Sequence, residues 1–396
     1  MRKGRKIKDI AADKTGAAAD REFMPPVCCN QKEDGTMAEK VTIDDIARAV
    51  GKSKSLVSLA LANKYGVNEE VRSQIVMTAV RMGYEFKDRQ VERSGSRSSS
   101  KKKIFICFSR DMLDDTSYWM ELICNVERHL QKRGCFSQIY GWDSTQNHEQ
   151  LVADFYRSGC LGIITFGTGI SDEVLGDILQ FGRPLVLIDS GNLLPGAIHI
   201  KAANYSGMHR AMQYLYDMGH TSICFVGDCG MEETFAERRN GVLRFIERNS
   251  GKVKLSLVDD RLTPGLREYV NLEQLRAHLQ KRDATAYLCV NDAVAAQVYE
   301  QAEALGLRIP EDISVMGFDN ANSSKWLRPT LTTCAVDRDR LAELSVEVLL
   351  LNLKMEQTDA DSLFEGIKVE IPVDIVERES VKCLRADKHK DREILR

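Results

Sequence analysis

Much that would mark a membrane protein, a secreted protein or an enzyme is missing from these 396 residues. No apolar run reaches the ~18 residues that a bilayer crossing needs, which excludes a membrane span. The start, Met1-Arg2-Lys3-Gly4-Arg5-Lys6, is basic but runs into Asp9 and Asp13 instead of an apolar stretch. No secretory signal is therefore expected, and the chain is placed in the cytosol. The eleven cysteines form no C-x-x-C pair, and most lie inside apolar runs, as do Cys107, Cys224 and Cys289. That is the pattern of buried reduced thiols and not of a disulfide framework. Adjacent Cys28 and Cys29 make a poor metal clip. The seven histidines are scattered without ligand spacing, and His220 reads as a helix-end residue, not a base. There is no G-x-S-x-G elbow and no H-E-x-x-H, and Gly167-Thr168-Gly169 lacks the third glycine and acidic partner of a dinucleotide site. Neither a metal, a cofactor nor enzymatic chemistry is expected.

Charge is present but unevenly placed. Residues 40–103 carry a net charge of +7, whereas residues 104–396 carry −11. A basic head on an acidic body suits a phosphate-binding module joined to a domain of another kind. An unevenly charged solvated surface would look the same, so the motifs must decide.

Residues 1–36 hold no lasting periodicity and include Pro25-Pro26, so 1–38 read as a disordered extension. The segment from Met37 also resembles a natural protein start, which would leave residues 1–36 untranslated; mass spectrometry of the native N-terminus tests this. From Val41 the pattern turns to three short helices within residues 39–86. Thr42 caps the first, with Asp45 as reciprocal partner, and Ile43, Ile46, Ala47 and Val50 share a face. Gly51 stops it, Ser53 caps the second with Val57 and Leu61 inward, and Asn68-Glu69-Glu70 opens the third. Residues 87–103 contain one apolar residue, Val91, among Ser, Gly, Arg and Lys, and read as a linker.

Beyond Lys103 short apolar runs alternate with amphipathic stretches: 104–108, 136–141, 161–166, 184–190, 222–228, 254–260, 286–290 and 314–319. This is βαβ punctuation, which implies parallel sheets covered on both faces. About 290 residues exceed one doubly wound sheet, so two similar lobes are expected over residues 104–380, followed by a charged tail at 381–396. Ligands in such folds sit beyond the carboxyl ends of the strands.

A helix, a tight glycine turn and a second helix is the geometry that lays one short helix in the DNA major groove. Exposed Lys54, Ser55 and Ser58 on the second helix could donate to base edges or phosphates. A small helical bundle with a polar face is the bland alternative. The segment VTIDDIARAVGKSKSLVSLALANKYGVNEEVRSQIVMTAVRMGYEF resembles, without a gap, the DNA-binding head of the LacI/GalR family of bacterial transcription regulators. GHTSICFV (219–226), Arg238-x-x-Gly241, NDAVA (291–295), LGLRIPEDISVMGFDN (305–320), PTLTT (329–333) and VDIVERES (373–380) match that family in order. The resemblance implies an all-α helix-turn-helix head on an α/β body of two doubly wound parallel-sheet lobes of the periplasmic-binding-protein type. It further implies a homodimer, double-stranded operator DNA as partner, and a small-molecule effector. Two-fold symmetry then makes the operator palindromic.

Carried over by position, Ser53, Lys54, Ser55, Ser58 and Leu59 match the recognition helix, and Thr42, Asn68 and Tyr84 match phosphate contacts. Leu59 stands where the family usually has a base-reading arginine and can offer only apolar contact, for instance to a thymine methyl. Arg93 stands where the family's hinge helix has a leucine that wedges into the minor groove; an arginine could enter a narrow groove instead, or the hinge could stay unordered. In the body, Trp119, Asp189, Arg238, Asn291 and Asp319 match the effector cleft. Trp119 could stack on a ring or pack the lobe, Arg238 could fork to effector oxygens or bridge the lobes, and Asp319 could fix a hydroxyl or cap a helix. The expected function is a DNA-binding regulator, a repressor, controlled by a carbohydrate in first place. The rival is a sugar-binding receptor with the same body, which would need a secretion signal and no basic head. An enzyme on the same scaffold would need a convergent acid, base or nucleophile.

Overall fold

The computed structural model describes residues 40–62, 64–82, 84, 102–110, 116–143, 148–167, 169–192, 194–228, 233–259, 261–263, 266–268, 270–355 and 366–385. The expected N-terminal extension, most of the linker with Arg93, and the tail beyond 385 lie outside these residues.

Local chemistry sets the three head helices. Helix α1 (Ile43–Val50) opens on a reciprocal cap: the Asp45 amide donates to the Thr42 hydroxyl at 3.4 Å, and the Thr42 amide donates to the Asp45 carboxylate at 2.9 Å. Gly51 ends it in the left-handed region at φ 63°, which costs an L residue and not glycine. Ser53 caps α2 (Lys54–Leu61) and Asn68 caps α3 (Glu69–Arg81). Ile46, Val57, Ala60, Ile75, Val76 and Ala79 close the core between them. Arg72, polar and buried, donates to the carbonyls of Ala60 at 3.1 Å and Lys64 at 2.7 Å. It satisfies backbone acceptors that the end of α2 leaves open.

The body is built twice on one plan. The first lobe holds β1 (Lys103–Ser109), α4 (Thr116–Lys132), β2 (Phe136–Trp142), α5 (His148–Ser158), β3 (Gly162–Phe166), α6 (Asp172–Leu179), β4 (Leu185–Ile188) and β5 (Ile198–Ala202). The second holds α7 (Asn204–Asp217), β6 (Ser222–Asp228), α8 (Glu233–Arg248), β7 (Lys254–Asp259), a small hairpin β8 (Arg261–Thr263) and β9 (Leu266–Glu268), α9 (Leu272–Lys281), β10 (Ala286–Cys289), α10 (Asp292–Ala304), β11 (Ser314–Asp319) and β12 (Thr332–Ala335). The chain returns to the first lobe for α11 (Arg338–Met355) and β13 (Lys368–Ile371), then ends in the second with β14 (Asp374–Val376). The sheet orders are β2-β1-β3-β4-β5-β13 and β7-β6-β10-β11-β12-β14, strand for strand the same, and only β14 among these pairs antiparallel. The chain thus passes between the sheets three times.

Both faces of the first sheet are dry at its central strands. Ile104 and Ile106 of β1 join the main core, while Phe105 and Cys107 pack on the other face with Leu151, Phe155 and Ile178. That is period-two alternation with helices on both sides.

One boundary needs correction. Residues 381–385 belong to the folded body, not to a free tail. The Leu384 amide donates to the Met218 carbonyl at 2.7 Å, the Lys382 amide to the Ser314 hydroxyl at 2.9 Å, and Val381 is buried.

Candidate DNA-binding face and effector cleft

On the head, Thr42, Ser53, Lys54, Ser55, Ser58 and Asn68 are all exposed. Thr42, Ser53 and Asn68 cap the three helix N-termini, where unpaired backbone amides and the helix dipole favour phosphate. The Lys54 ammonium sits 2.7 Å from the Asp44 carboxylate, an exposed pair that incoming phosphate can compete for. Leu59 and Tyr84 are only half exposed and pack partly against the head core. Helix α2 thus offers a polar, cationic first turn and a half-committed leucine.

The cleft is built by strand ends. β4 and β11 are each fourth from their sheet edge, and the residues that end them, Asp189 and Asp319, are matching carboxylates from the two lobes. Both have left-handed backbone (φ 46° and 108°), as does Asn320 (φ 52°). Non-glycine residues adopt such conformations when the surroundings over-determine them, and such strain gathers at functional sites.

Those surroundings are visible. The Asp189 carboxylate accepts from the Ala202 amide at 2.7 Å and from the Tyr118 hydroxyl. Burial pushes the Asp189 carboxyl above its usual range, and burial followed by the charge of Asp189 pushes Tyr118 well up. Arg238 on α8 spends one donor on each of three acceptors. They are the Asn204 side chain at 2.8 Å, the Val290 carbonyl at 2.8 Å and the Asp319 carboxylate at 3.0 Å. Its guanidinium lies 3.9 Å above the ring of Phe318. A guanidinium has five N–H groups, so its fork retains donor capacity.

Arg338 reaches across from α11, which packs on the first lobe, to the second. It donates to the carbonyls of Asp319 at 2.6 Å and Asn320 at 3.2 Å, and its Nε lies 3.1 Å from Glu121. It therefore pins the left-handed turn from the opposite lobe. Lys201 on β5 pairs with Glu237 on α8, an ionic contact between lobes, one residue before Arg238. Behind the turn, buried Asp292 accepts from the Ala321 amide at 2.7 Å and the Thr333 hydroxyl at 2.6 Å. Burial and then the neighbouring Asp319 charge hold its carboxyl well above the normal range.

Of the five cleft residues expected from sequence, the structure gathers Asp189, Arg238 and Asp319 around one point of contact between lobes. Asn291 stands at the end of β10 beside Val290, and its side-chain oxygen caps α10 by accepting from the Val294 amide at 2.8 Å. Trp119 is half-buried and lies edge-on to Tyr118 at 4.9 Å, against the main core. Tyr118, Asn204, Glu121 and Arg338 were not singled out. Tyr118 adjoins Trp119, but nothing local marks Arg338, whose partners Asp319, Asn320 and Glu121 lie on other elements. Among the described residues, no group of three or more His, Cys, Asp or Glu could hold a metal ion, and no helix is long and apolar enough to cross a membrane.

Residues 212–381 match the model of a periplasmic binding protein-like domain. The HTH-type transcriptional repressor PurR of Actinobacillus pleuropneumoniae is 26% identical over 354 residues, spanning 87% of this chain and 99% of that protein. PurR of Haemophilus influenzae is 25% identical over 355 residues, with the same coverage of 87% and 99%. Among solved structures, the Lac repressor dimer bound to operator and the anti-inducer ONPF aligns with a TM-score of 0.58 at 19% identity, over 87% of this chain and 100% of that one. A LacI family regulator from Enterococcus faecium with bound ribose gives a TM-score of 0.59 at 23% identity, over 72% and 100%. Over most of its length the chain is thus similar to PurR repressors, and it shares the fold of LacI family regulators. The structures carry the shared fold, and the curated relatives carry the head and body together.

Proposed function

We propose that this LacI/GalR regulator is a cytosolic, dimeric repressor of a palindromic operator, controlled by a small molecule held between its lobes. A carbohydrate is the first candidate. The recognition helix reads DNA through Ser53, Lys54, Ser55, Ser58 and Leu59, with Thr42, Asn68 and Tyr84 on the phosphates and Arg93 of the linker at the minor groove. Trp119, Asp189, Arg238, Asn291 and Asp319 hold the effector. One observation supports the effector reading most. Two equivalent carboxylates, Asp189 and Asp319, stand on left-handed backbone at the ends of matching strands of the two lobes, and the Arg238 guanidinium donates to Asp319. Carboxylates and a guanidinium together suit vicinal hydroxyls, which both donate and accept. A ligand that prefers one lobe angle shifts the heads that leave the same lobes.

A gel shift with the promoter of the protein's own gene, with and without sugars, sugar phosphates and nucleobases, tests the whole reading. Binding should fall steeply with salt, and Lys54→Ala should reduce the preference for operator over random duplex by about tenfold. Equal binding to operator and random competitor under every ligand would overturn it.

A further inference from the structure

We infer that the head is held in place for DNA binding by docking on its own first lobe, with Met77, Tyr156 and Gln150 as positioning residues; this rests on the DNA-binding reading above. Met77 on α3 is 1% exposed, yet its side chain does not belong to the head core. It enters the cluster on the outer face of the first lobe's sheet, with Phe155 and Leu151 of α5. In return Tyr156 of α5 and Phe181 after α6 pack against the head core. Their rings stack at 5.5 Å, and Phe155 lies edge-on to Phe181 at 5.9 Å and to Phe105 of β1 at 5.6 Å. An unbroken aromatic row thus joins a central strand of the lobe to the head.

Polar contacts fix the register. The Tyr156 hydroxyl donates at 2.8 Å to the carbonyl of Leu61, the last residue of the recognition helix, which has no partner within that helix. Ser73 donates to Gln150 at 3.3 Å, and Arg157 pairs with Glu69. All of this leaves Thr42, Lys54, Ser55, Ser58 and Asn68 open to solvent. The docked head therefore presents its DNA face outward. The linker sequence, with Val91 as its one apolar residue, has little with which to hold the head by packing. The lobe supplies what the linker lacks.

The test uses the full-length dimer on operators whose half-site spacing is varied by one and two base pairs. Wild type should be sharply selective for one spacing. Met77→Lys should lower affinity for the best operator about tenfold, as expected when the competent fraction falls to about one-tenth, and should flatten the spacing dependence. Met77→Leu should behave as wild type. Tyr156→Phe, which removes only the bond to Leu61, should shift affinity in the same direction by a smaller factor. A disulfide-locked Ser73→Cys/Gln150→Cys protein should keep operator binding. Loss of binding on locking, or wild-type spacing selectivity in Met77→Lys, overturns the docking inference while leaving the regulator reading intact. A wild-type protein with no operator preference overturns both.

Discussion

Arg238 offers the sharpest test of what the cleft is made of. Arg238→Met keeps an unbranched side chain over the Phe318 ring but removes three hydrogen bonds and the positive charge. The two side chains of the Arg238–Asp319 pair are 6% and 11% exposed, so solvent screens little of their attraction. Removing one partner of such a pair costs roughly 3–5 kcal/mol, chiefly through the charge left behind. The Arg338 guanidinium, which donates to the Asp319 carbonyl, stays beside the stranded carboxylate, which favours the low end, about 3 kcal/mol. For a unit of this size each kcal/mol moves the melting temperature by about 2–4 °C, so a fall of roughly 6–12 °C is expected. Calorimetry of wild type, Arg238→Met, Asp319→Asn and the double variant measures it. The double variant should be markedly more stable than additivity predicts, because each single change already breaks the pair. Effector-induced stabilisation should also disappear in Arg238→Met. Strict additivity, or an unchanged melting temperature, would refute the reasoning on the pair. A lower melting temperature with the effector shift intact would confine Arg238 to a structural role.

Two further outcomes follow from packing and protonation. A Cβ on Gly241 of α8 would lie 2.3 Å from the Tyr205 carbonyl and 3.1 Å from the His209 amide, both backbone of α7, which cannot swing aside. Gly241→Ala gains helix propensity yet should destabilise by about 1–2 kcal/mol, since overpacking outweighs that gain; chemical denaturation showing a more stable variant would contradict the close α7–α8 approach. His220 is buried, its Nε2 donating to the Lys382 carbonyl at 3.1 Å, and burial pushes it down to about 4. The unfolded chain takes up that proton near pH 6.5 and the folded chain does not, so stability present above 6.5 is lost as pH falls toward 4. At pH 5 the loss amounts to about 2 kcal/mol, and His220→Gln should remove that part of the slope between pH 7 and 5. A variant with the wild-type slope in urea melts would show that His220 does not control it.

The sequence by itself determined the head, the lobes and their order. Capping residues and glycines act within a few positions, so Thr42, Asp45, Gly51, Ser53 and Asn68 declare their helices without help from distant residues. The eight apolar runs all became strands; the central ones, β1, β3, β4, β10 and β11, are almost wholly buried, and a strand covered on both faces must be apolar. Strands β5, β12, β13 and β14 were not read. Their segments IHIKA, TTCA, KVEI and DIV are short or mixed in polarity, and what stabilises them is a neighbouring strand brought from elsewhere. The same division runs through the function. Asp189, Arg238 and Asp319 could be named from motifs, but their convergence required the two lobes to meet. Arg338, Tyr118 and the Met77 dock carry no local signature at all. Short-range hydrogen bonding and periodicity are written along the chain, whereas the meeting of side chains on separate elements exists only once both lobes have formed.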